Sequence, residues 1–310
     1  MRPAFAYYYD YFQEDILQFD SRYAVYDKAL YYTLKPDTAF TFQNIEFTDV
    51  YRTNRLGLRD ADSVLSEPVV ACLGDSYTMG WGVGQEQSFP ARLGAMTGLR
   101  VVNMGVASYG TAREMINLGR LDKSALRWVV IQYCSNDREE NERSKKNGYK
   151  LPISSRGSYE GFVRASALSR VYFPGKYFLM IANYFLKSRI NRLHAVFALP
   201  WERKDGAVEQ EEQAGIFLDL LYHSSIDFKK VGVVVSMMDD YDNMRGDFLR
   251  AVGRLAMQSP YREKFAGSLH LLDVSSLLKG EDLYILDVHF RASGHEKIAA
   301  AIRDIIKGGR

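Results

Sequence analysis

The stretch Val69 to Val83 reads VVACLGDSYTMGWGV, and in it a run of apolar residues stops abruptly at Gly74-Asp75-Ser76. Such a run suits a buried strand, so Ser76 is expected where the carboxyl end of a strand meets the positive end of a helix. A serine hydroxyl there is a candidate nucleophile, but at neutral pH it needs a base to take its proton. The chain has five histidines, His194, His223, His270, His289 and His295. Only His289 has a carboxylate beside it in a loop near the far end, in YILDVHFRASGH. In an extended segment Asp287 and His289, two apart, point their side chains the same way. Asp287 would then hold one ring nitrogen of His289 while the other faces Ser76, which orients the base and stabilises the imidazolium formed during reaction. His295 falls in the helix-like continuation SGHEKIAAAI, where Ser293 is placed to cap the helix, and is read as structural.

A serine attacking a carbonyl also needs donors for the negative oxygen that develops. NMGVASYGT puts Gly105 after a second apolar run, where its backbone amide is a candidate donor. YCSNDREEN puts Asn136 after a third, where its side-chain amide is another. With the Ser76 amide, Gly105 and Asn136 would form a three-donor oxyanion hole.

These residues must be brought together by the elements between them. Five apolar segments read as buried strands: VVACL at 69, VVNM at 101, WVVIQYC at 128, VGVVVSM at 231 and LHLLDV at 269. They are too continuous for one-sided strands. SFPARLGAMTG and TAREMINLGRLDKS suit helices after the first and second, and a long insertion follows the third. Strand alternating with helix argues for an α/β fold, a parallel sheet covered on both faces, whose ligands bind at the carboxyl ends of the strands. Residues 1–66 precede the first strand and are rich in Tyr and Phe, with short strands and a turn at Gly57 expected in FTFQNIEFTDVYRTNRLGLRD. They are read as an N-terminal appendage docked on a domain spanning 67–310, which carries a helical insertion at about 138–228.

Bulk composition narrows the partners. The 310 residues carry 40 basic and 38 acidic side chains, a formal balance of +2 with no long run of one sign, so no electrostatic footprint for nucleic acid is indicated. Cys72 and Cys134 cannot make a disulfide framework, and no Cys/His cluster has a zinc spacing, so buried thiols and no metal or cofactor are expected. The first residues show no signal-peptide h-region, and the chain as given reads as cytoplasmic, with the cell envelope open to it if an upstream anchor was removed. Val171 to Leu186, the most membrane-like piece, is broken by Pro174-Gly175 and Lys176 and is too short to span; it is read as a packed helix or a lid over a pocket. The aromatic segments, YYYDYF at 7 included, are read as packing, sugar-binding, membrane-surface or oligomer contacts.

Gly74-Asp75-Ser76, Gly105, Asn136-Asp137 and Asp287-x-His289, in that order and each after a proposed strand or near the end of the chain, resemble the four signature blocks of the SGNH hydrolases, the GDSL esterases and lipases. The resemblance covers roughly residues 67 to 305. It implies a three-layer α/β/α sandwich of flavodoxin-like type with a central parallel five-stranded sheet. It also implies Ser76 as nucleophile, His289 as base, Asp287 as its partner, and the Ser76, Gly105 and Asn136 donors as oxyanion hole. GDSYTMGWGV, NMGVASYGT and NDREEN, with YRTNRLGLRD upstream, are most similar to a bacterial branch found among envelope-polysaccharide genes. Two departures stand out: Cys134 replaces the glycine usual in the third block, and Asp-x-His is one residue shorter than the usual Asp-x-x-His. Asp282 is the alternative partner for His289 if the loop folds back.

The chemistry implied is hydrolysis of an acyl ester, with deacetylation or deacylation of a sugar or polysaccharide leading. An O-acyltransferase using the same acyl-enzyme is a second reading, and a catalytically weak carbohydrate-binding or assembly protein a third. No serine lies in a Gly-x-Ser-x-Gly elbow, and neither a dinucleotide fingerprint nor a P-loop follows the first strand, which disfavours those folds.

Overall fold

The computed structural model describes residues 17–44, 46–169, 174–175, 178, 182, 206–238, 245–265, 267–284, 287 and 289–308. Two antiparallel hairpins come first: β1 (Ala24–Asp27) with β2 (Tyr31–Leu34), and β3 (Ala39–Gln43) with β4 (Thr48–Arg52). A five-stranded sheet follows, built from β5 (Val70–Leu73), β6 (Val101–Asn103), β7 (Trp128–Tyr133), β8 (Gly232–Met237) and β9 (Leu269–Leu271). Every pairing in it is parallel and its order is β6-β5-β7-β8-β9. The four apolar runs that form β5 to β8 are buried on both faces, whereas β9 is a short, half-exposed edge.

Side chains alternate cleanly between two cores, as the period of two requires. Ala71, Leu73, Val129, Ile131, Val233 and Val235 face one way, against α3 (Thr111–Leu118), α6 (Gly206–Tyr222) and α7 (Arg245–Ala256). Val70, Cys72, Trp128, Val130 and Val234 face the other, against α2 (Phe89–Thr97) and α9 (Ala292–Gly308). This is the expected α/β/α sandwich. The strand order is the doubly wound 2-1-3-4-5 arrangement, whose switch point lies between the carboxyl ends of its first and third strands, here β5 and β7. The loops that carry Ser76 and Asn136 leave from those two ends.

The described part of the insertion contributes α4 (Asp137–Lys146), α5 (Arg156–Ser169) and α6. Its polar and acidic residues support a neighbouring helix. Four amides at the start of α3 bond to α4 side chains: Gly110 and Arg113 to Glu140, each at 3.1 Å, Thr111 to Asp137 at 3.0 Å and Ala112 to Asn141 at 3.0 Å. The string NDREEN therefore caps a neighbouring helix, and in doing so fixes the turn that bears Asn136. The aromatic run Val171 to Leu186 lies outside the described residues except for Pro174, Gly175, Phe178 and Ala182, and YYYDYF at 7 lies wholly outside them. No helix among the described residues is long and apolar enough to cross a membrane.

The β3–β4 hairpin packs Phe42, Phe47 and Tyr51 against Met79 and Ala107, with Trp81 and Tyr284 at the border. The following segment reaches further in. Arg59 is 1% exposed, stacks 3.6 Å from the Tyr51 ring, and donates to the carbonyls of Met79, Gly80 and Val83. Asp60 accepts the Asn103 amide at 2.8 Å, and burial pushes its carboxyl up to about 6. The string YRTNRLGLRD thus clamps the chain just after the serine turn to the end of β6.

Candidate active site

The serine turn is made by geometry that only a glycine permits. Gly74 has φ of 152°, and a Cβ there would lie 2.1 Å from Thr78 Oγ1 and 2.3 Å from Gln132 Oε1. Asp75 then caps the short helix α1 (Ser76–Met79), its carboxylate accepting the Tyr77 amide at 3.0 Å. The other oxygen of Asp75 accepts from Asn136 Nδ2 at 3.1 Å. Asp75 therefore ties the turn after β5 to the turn after β7. Gly80 and Gly82, with φ of 83° and 79°, reverse the chain on either side of Trp81.

Ser76 Oγ lies 2.7 Å from His289 Nε2, and His289 Nδ1 is in short contact with Asp287 Oδ1. Side chains of His289 and Asp287 are 18% and 17% exposed, so the pair is largely withdrawn from water yet reachable through the serine. Asp287 Oδ1 also accepts the His289 amide at 3.4 Å. Its Oδ2 accepts from Trp81 Nε1 at 2.8 Å and from Asn44 Nδ2 at 2.7 Å. The Asp287 amide donates to Glu46 Oε2 at 2.8 Å. Burial raises the proton affinity of Asp287, but the hydrogen bond and charge of His289 and the Trp81 N–H outweigh it, and the carboxyl is held below its ordinary range. The Trp81 ring stacks 5.3 Å from that of His289 at 22°, and the Tyr77 ring lies tilted 4.7 Å from it.

The loop bearing the pair is pinched at its base. Leu283 bridges Phe290, the Tyr284 amide donates to the His289 carbonyl at 3.0 Å, and the Arg291 amide to Asp282 at 2.7 Å. Asp287 and His289 sit in bends rather than an extended strand, yet their side chains meet. Asp282 is engaged elsewhere: buried at the start of α9, it accepts from Ser293 Oγ at 2.7 Å, Lys297 Nζ at 2.6 Å and the Lys279 amide at 2.8 Å. Ser293 thus donates to Asp282 instead of capping its own helix. His295 is 1% exposed and its Nδ1 accepts the Phe89 amide at 3.2 Å; burial, with Arg59 nearby, pushes it down to about 3, so it is a neutral structural histidine. His223 stacks on Tyr149, the His270 ring lies tilted against Trp128, and His194 lies outside the described residues.

Of the three expected oxyanion donors, two keep an uncommitted hydrogen. The Ser76 amide has no acceptor among the described residues, and Asn136, exposed, spends one hydrogen on Asp75 and keeps a second. Gly105 differs from expectation. Its amide donates to Asn103 Oδ1 at 3.0 Å, and a Cβ on it would lie 2.2 Å from the Met79 nitrogen. The glycine is needed for close passage behind α1, and its donor is already committed. In the same loop the amides of Met104, Val106 and Tyr109 are bonded to carbonyls, which leaves Ala107 and Ser108. Ser108 is exposed and left-handed, with φ of 61°. Gly105→Ala is accordingly expected to destabilise the fold by about 1–3 kcal/mol, at the upper end because the obstructing atoms are backbone. Urea unfolding of the variant against wild type measures this.

Cys134, in the place of a usual glycine, is 4% exposed and is absent from the residues with positive φ, so its side chain packs without backbone strain. Both cysteines are free and buried. No group of three His, Cys, Asp or Glu side chains among the described residues could hold a metal ion. Asn44, Glu46, Trp81, Asp75 and Arg59 were not among the sequence-derived site residues. The one local signal was the Gly-Trp-Gly at 80–82, whose glycines mark a left-handed turn on each side of the ring.

No protein-family model matches the chain, and no curated protein matches it. Among solved structures it is similar to a GDSL-like lipase from Bacteroides thetaiotaomicron, with 12% identity over 79% of this chain and 90% of that one and a TM-score of 0.35. A carbohydrate acetylesterase family member from Sinorhizobium meliloti matches with 15% identity over 78% and 98%, TM-score 0.33. AlinE4, an SGNH-hydrolase family esterase, matches with 15% identity over 78% and 96%, TM-score 0.35. These likenesses are remote, and what the site can do follows from its own atoms.

Proposed function

We propose that the chain is an SGNH-type serine hydrolase that cleaves an acyl ester, with an acylated sugar or polysaccharide as the substrate. The observation that carries the reading is the line of contacts from Ser76 Oγ through both nitrogens of His289 to Asp287. The Ser76 oxygen attacks the ester carbonyl carbon while His289 Nε2 takes its proton. Asp287, ionised, stabilises the imidazolium, which then protonates the departing alkoxide. Water, deprotonated in turn by His289, attacks the acyl-serine and releases the carboxylic acid. The Ser76 amide and the second hydrogen of Asn136 receive the oxyanion, with the exposed Ser108 amide taking the place expected of Gly105. The sugar or polysaccharide substrate is supported by the resemblance of the serine, Gly105 and Asn136 strings to the envelope-polysaccharide branch.

The test is hydrolysis of p-nitrophenyl acetate, a long-chain p-nitrophenyl ester and an acetylated glycan by the purified chain. Preference for the acetyl substrates, with acetate released from the glycan, supports the reading. Acyl gain by an added glycan with little free acid would make the protein an acyltransferase. No turnover and no Ser76 acylation, with glycan binding retained, would make it a binding protein. Within the hydrolase reading, Asn136→Ala should lower kcat about 10²–10³-fold while leaving KM near wild type, as loss of one oxyanion donor does. Steady-state kinetics on p-nitrophenyl acetate checks it.

A further inference from the structure

We propose that the turn joining β3 to β4, through Asn44 and Glu46, acts with Trp81 as the seat of the catalytic acid, holding Asp287 ionised and aimed at His289. The inference rests on the serine-hydrolase reading and extends it: part of the N-terminal appendage belongs to the machinery of the reaction. Asn44, Glu46 and Trp81 are positioning residues, since each acts on His289 only through Asp287.

The argument begins with what the acid loop can do alone. Only one residue separates Asp287 from His289, and a single oxygen, Oδ1, serves both the His289 ring and the His289 amide. Nothing in those two contacts fixes rotation of the carboxylate about its own axis. That is set by Oδ2, and both donors to it come from outside the loop: Trp81 Nε1 at 2.8 Å and Asn44 Nδ2 at 2.7 Å. A third anchor, Glu46 Oε2, accepts the Asp287 amide at 2.8 Å and fixes the backbone from which the carboxylate hangs.

These supports are themselves fixed in advance. Asn44 Oδ1 accepts the amides of Glu46 at 2.7 Å and Phe47 at 3.2 Å, and the Asn44 amide donates to the Phe47 carbonyl at 3.0 Å. The side chain is locked by its own turn, with Nδ2 presented outward. The Trp81 ring is wedged edge-on against Phe42, with centroids 4.6 Å apart at 71°, between two left-handed glycines. Supports whose own rotamers are set by packing are what a reacting group needs to be held to a fraction of an ångström. The charged and titratable groups around Asp287 are His289, Glu46, Tyr284 and Tyr51, with Asp49 acting on both tyrosines, Arg291 over Tyr284, Arg59 stacked behind Tyr51 and Tyr77 against His289.

The experiment uses the full chain and two readouts: kcat and KM on p-nitrophenyl acetate across pH, and the rate at which a fluorophosphonate labels Ser76. Asn44→Ala and Trp81→Phe are each expected to lower kcat and the labelling rate together, about 10–100-fold as for other supports of a reacting group, with KM unchanged. Asn44→Asp is the sharper variant, because it keeps the oxygen that closes the turn and turns a carboxylate toward Asp287. An added negative charge raises the proton affinity of both Asp287 and His289, so the acid limb of its kcat/KM profile should move to higher pH. Activity should then be partly regained as pH is raised, whereas a merely structural defect would lower the active fraction at every pH. Wild-type rates and an unmoved acid limb in Asn44→Asp and Trp81→Phe would overturn the proposal, even if Asn44→Ala failed to fold. A wild type that neither hydrolyses the ester nor is labelled at Ser76 would overturn the hydrolase reading itself, and the seat with it.

Discussion

Ser76→Ala should abolish ester hydrolysis while leaving the fold intact. Its kcat is expected to fall about 10⁶-fold, since removing a serine nucleophile from a serine–histidine unit costs that order in other enzymes. The fold survives because the Ser76 hydroxyl has one partner, His289, whose second nitrogen stays with Asp287. No buried donor is orphaned, so the unfolding midpoint should lie close to wild type. His289→Ala should cost a similar factor, and the double variant no more than either alone, because the two act as one unit. Kinetics on p-nitrophenyl acetate with thermal unfolding in parallel separates the outcomes. If Ser76→Ala kept more than a hundredth of the activity, the nucleophile would lie elsewhere.

Asp287→Asn is expected to lower kcat about 10⁴-fold at neutral pH, the order seen where the acid of a serine–histidine–aspartate unit loses its charge. The reason is tautomeric. Asp287 accepts at both oxygens, from His289 on one side and from Trp81 and Asn44 on the other. An asparagine must turn its NH₂ toward one of these, and facing the two fixed donors with it would create a clash of donors. Its carbonyl oxygen therefore takes the Trp81 and Asn44 side, and its NH₂ faces His289 Nδ1. That nitrogen must then accept, which puts the ring proton on Nε2, where it blocks abstraction from Ser76. A second carboxylate close by is Glu46, which accepts the Asp287 amide. Residual activity in Asp287→Asn that disappears in Asp287→Asn/Glu46→Gln would name Glu46 as the partner of His289.

Much of this was legible in the sequence where the signal is local. The β5 to β8 strands announce themselves because a parallel sheet buried on both faces needs continuous apolar runs, and VVACL, VVNM, WVVIQYC and VGVVVSM are such runs. Both edge strands, β6 and β9, have three residues, but only β9 is partly exposed, which LHLLDV alone does not show. Ser76, His289 and Asp287 could be paired because their types restrict the chemistry. Gly105 was given a donor role because a glycine after a strand suggests backbone access. Its actual demand is steric, from the Met79 nitrogen, and its amide belongs to Asn103. No spacing rule reveals that. Asn44 and Glu46 were invisible for the same reason: they are ordinary turn residues until a loop some 240 positions away is laid against them. The acidic string after β7 carries no local signal of its role, yet three of its residues take up the free amides at the start of α3.

The bond between Asn44 and Asp287 joins positions 243 apart in the chain. One half of the acid's support is thus translated well before the acid itself. A chain still emerging from the ribosome can carry a folded hairpin and a serine turn with no working base beside it. Contacts of such separation close late, after the loop entropy between them has been overcome. On the hydrolase reading, activity would await the meeting of the hairpin and the acid loop on the sheet, and so would report that the chain between them has folded.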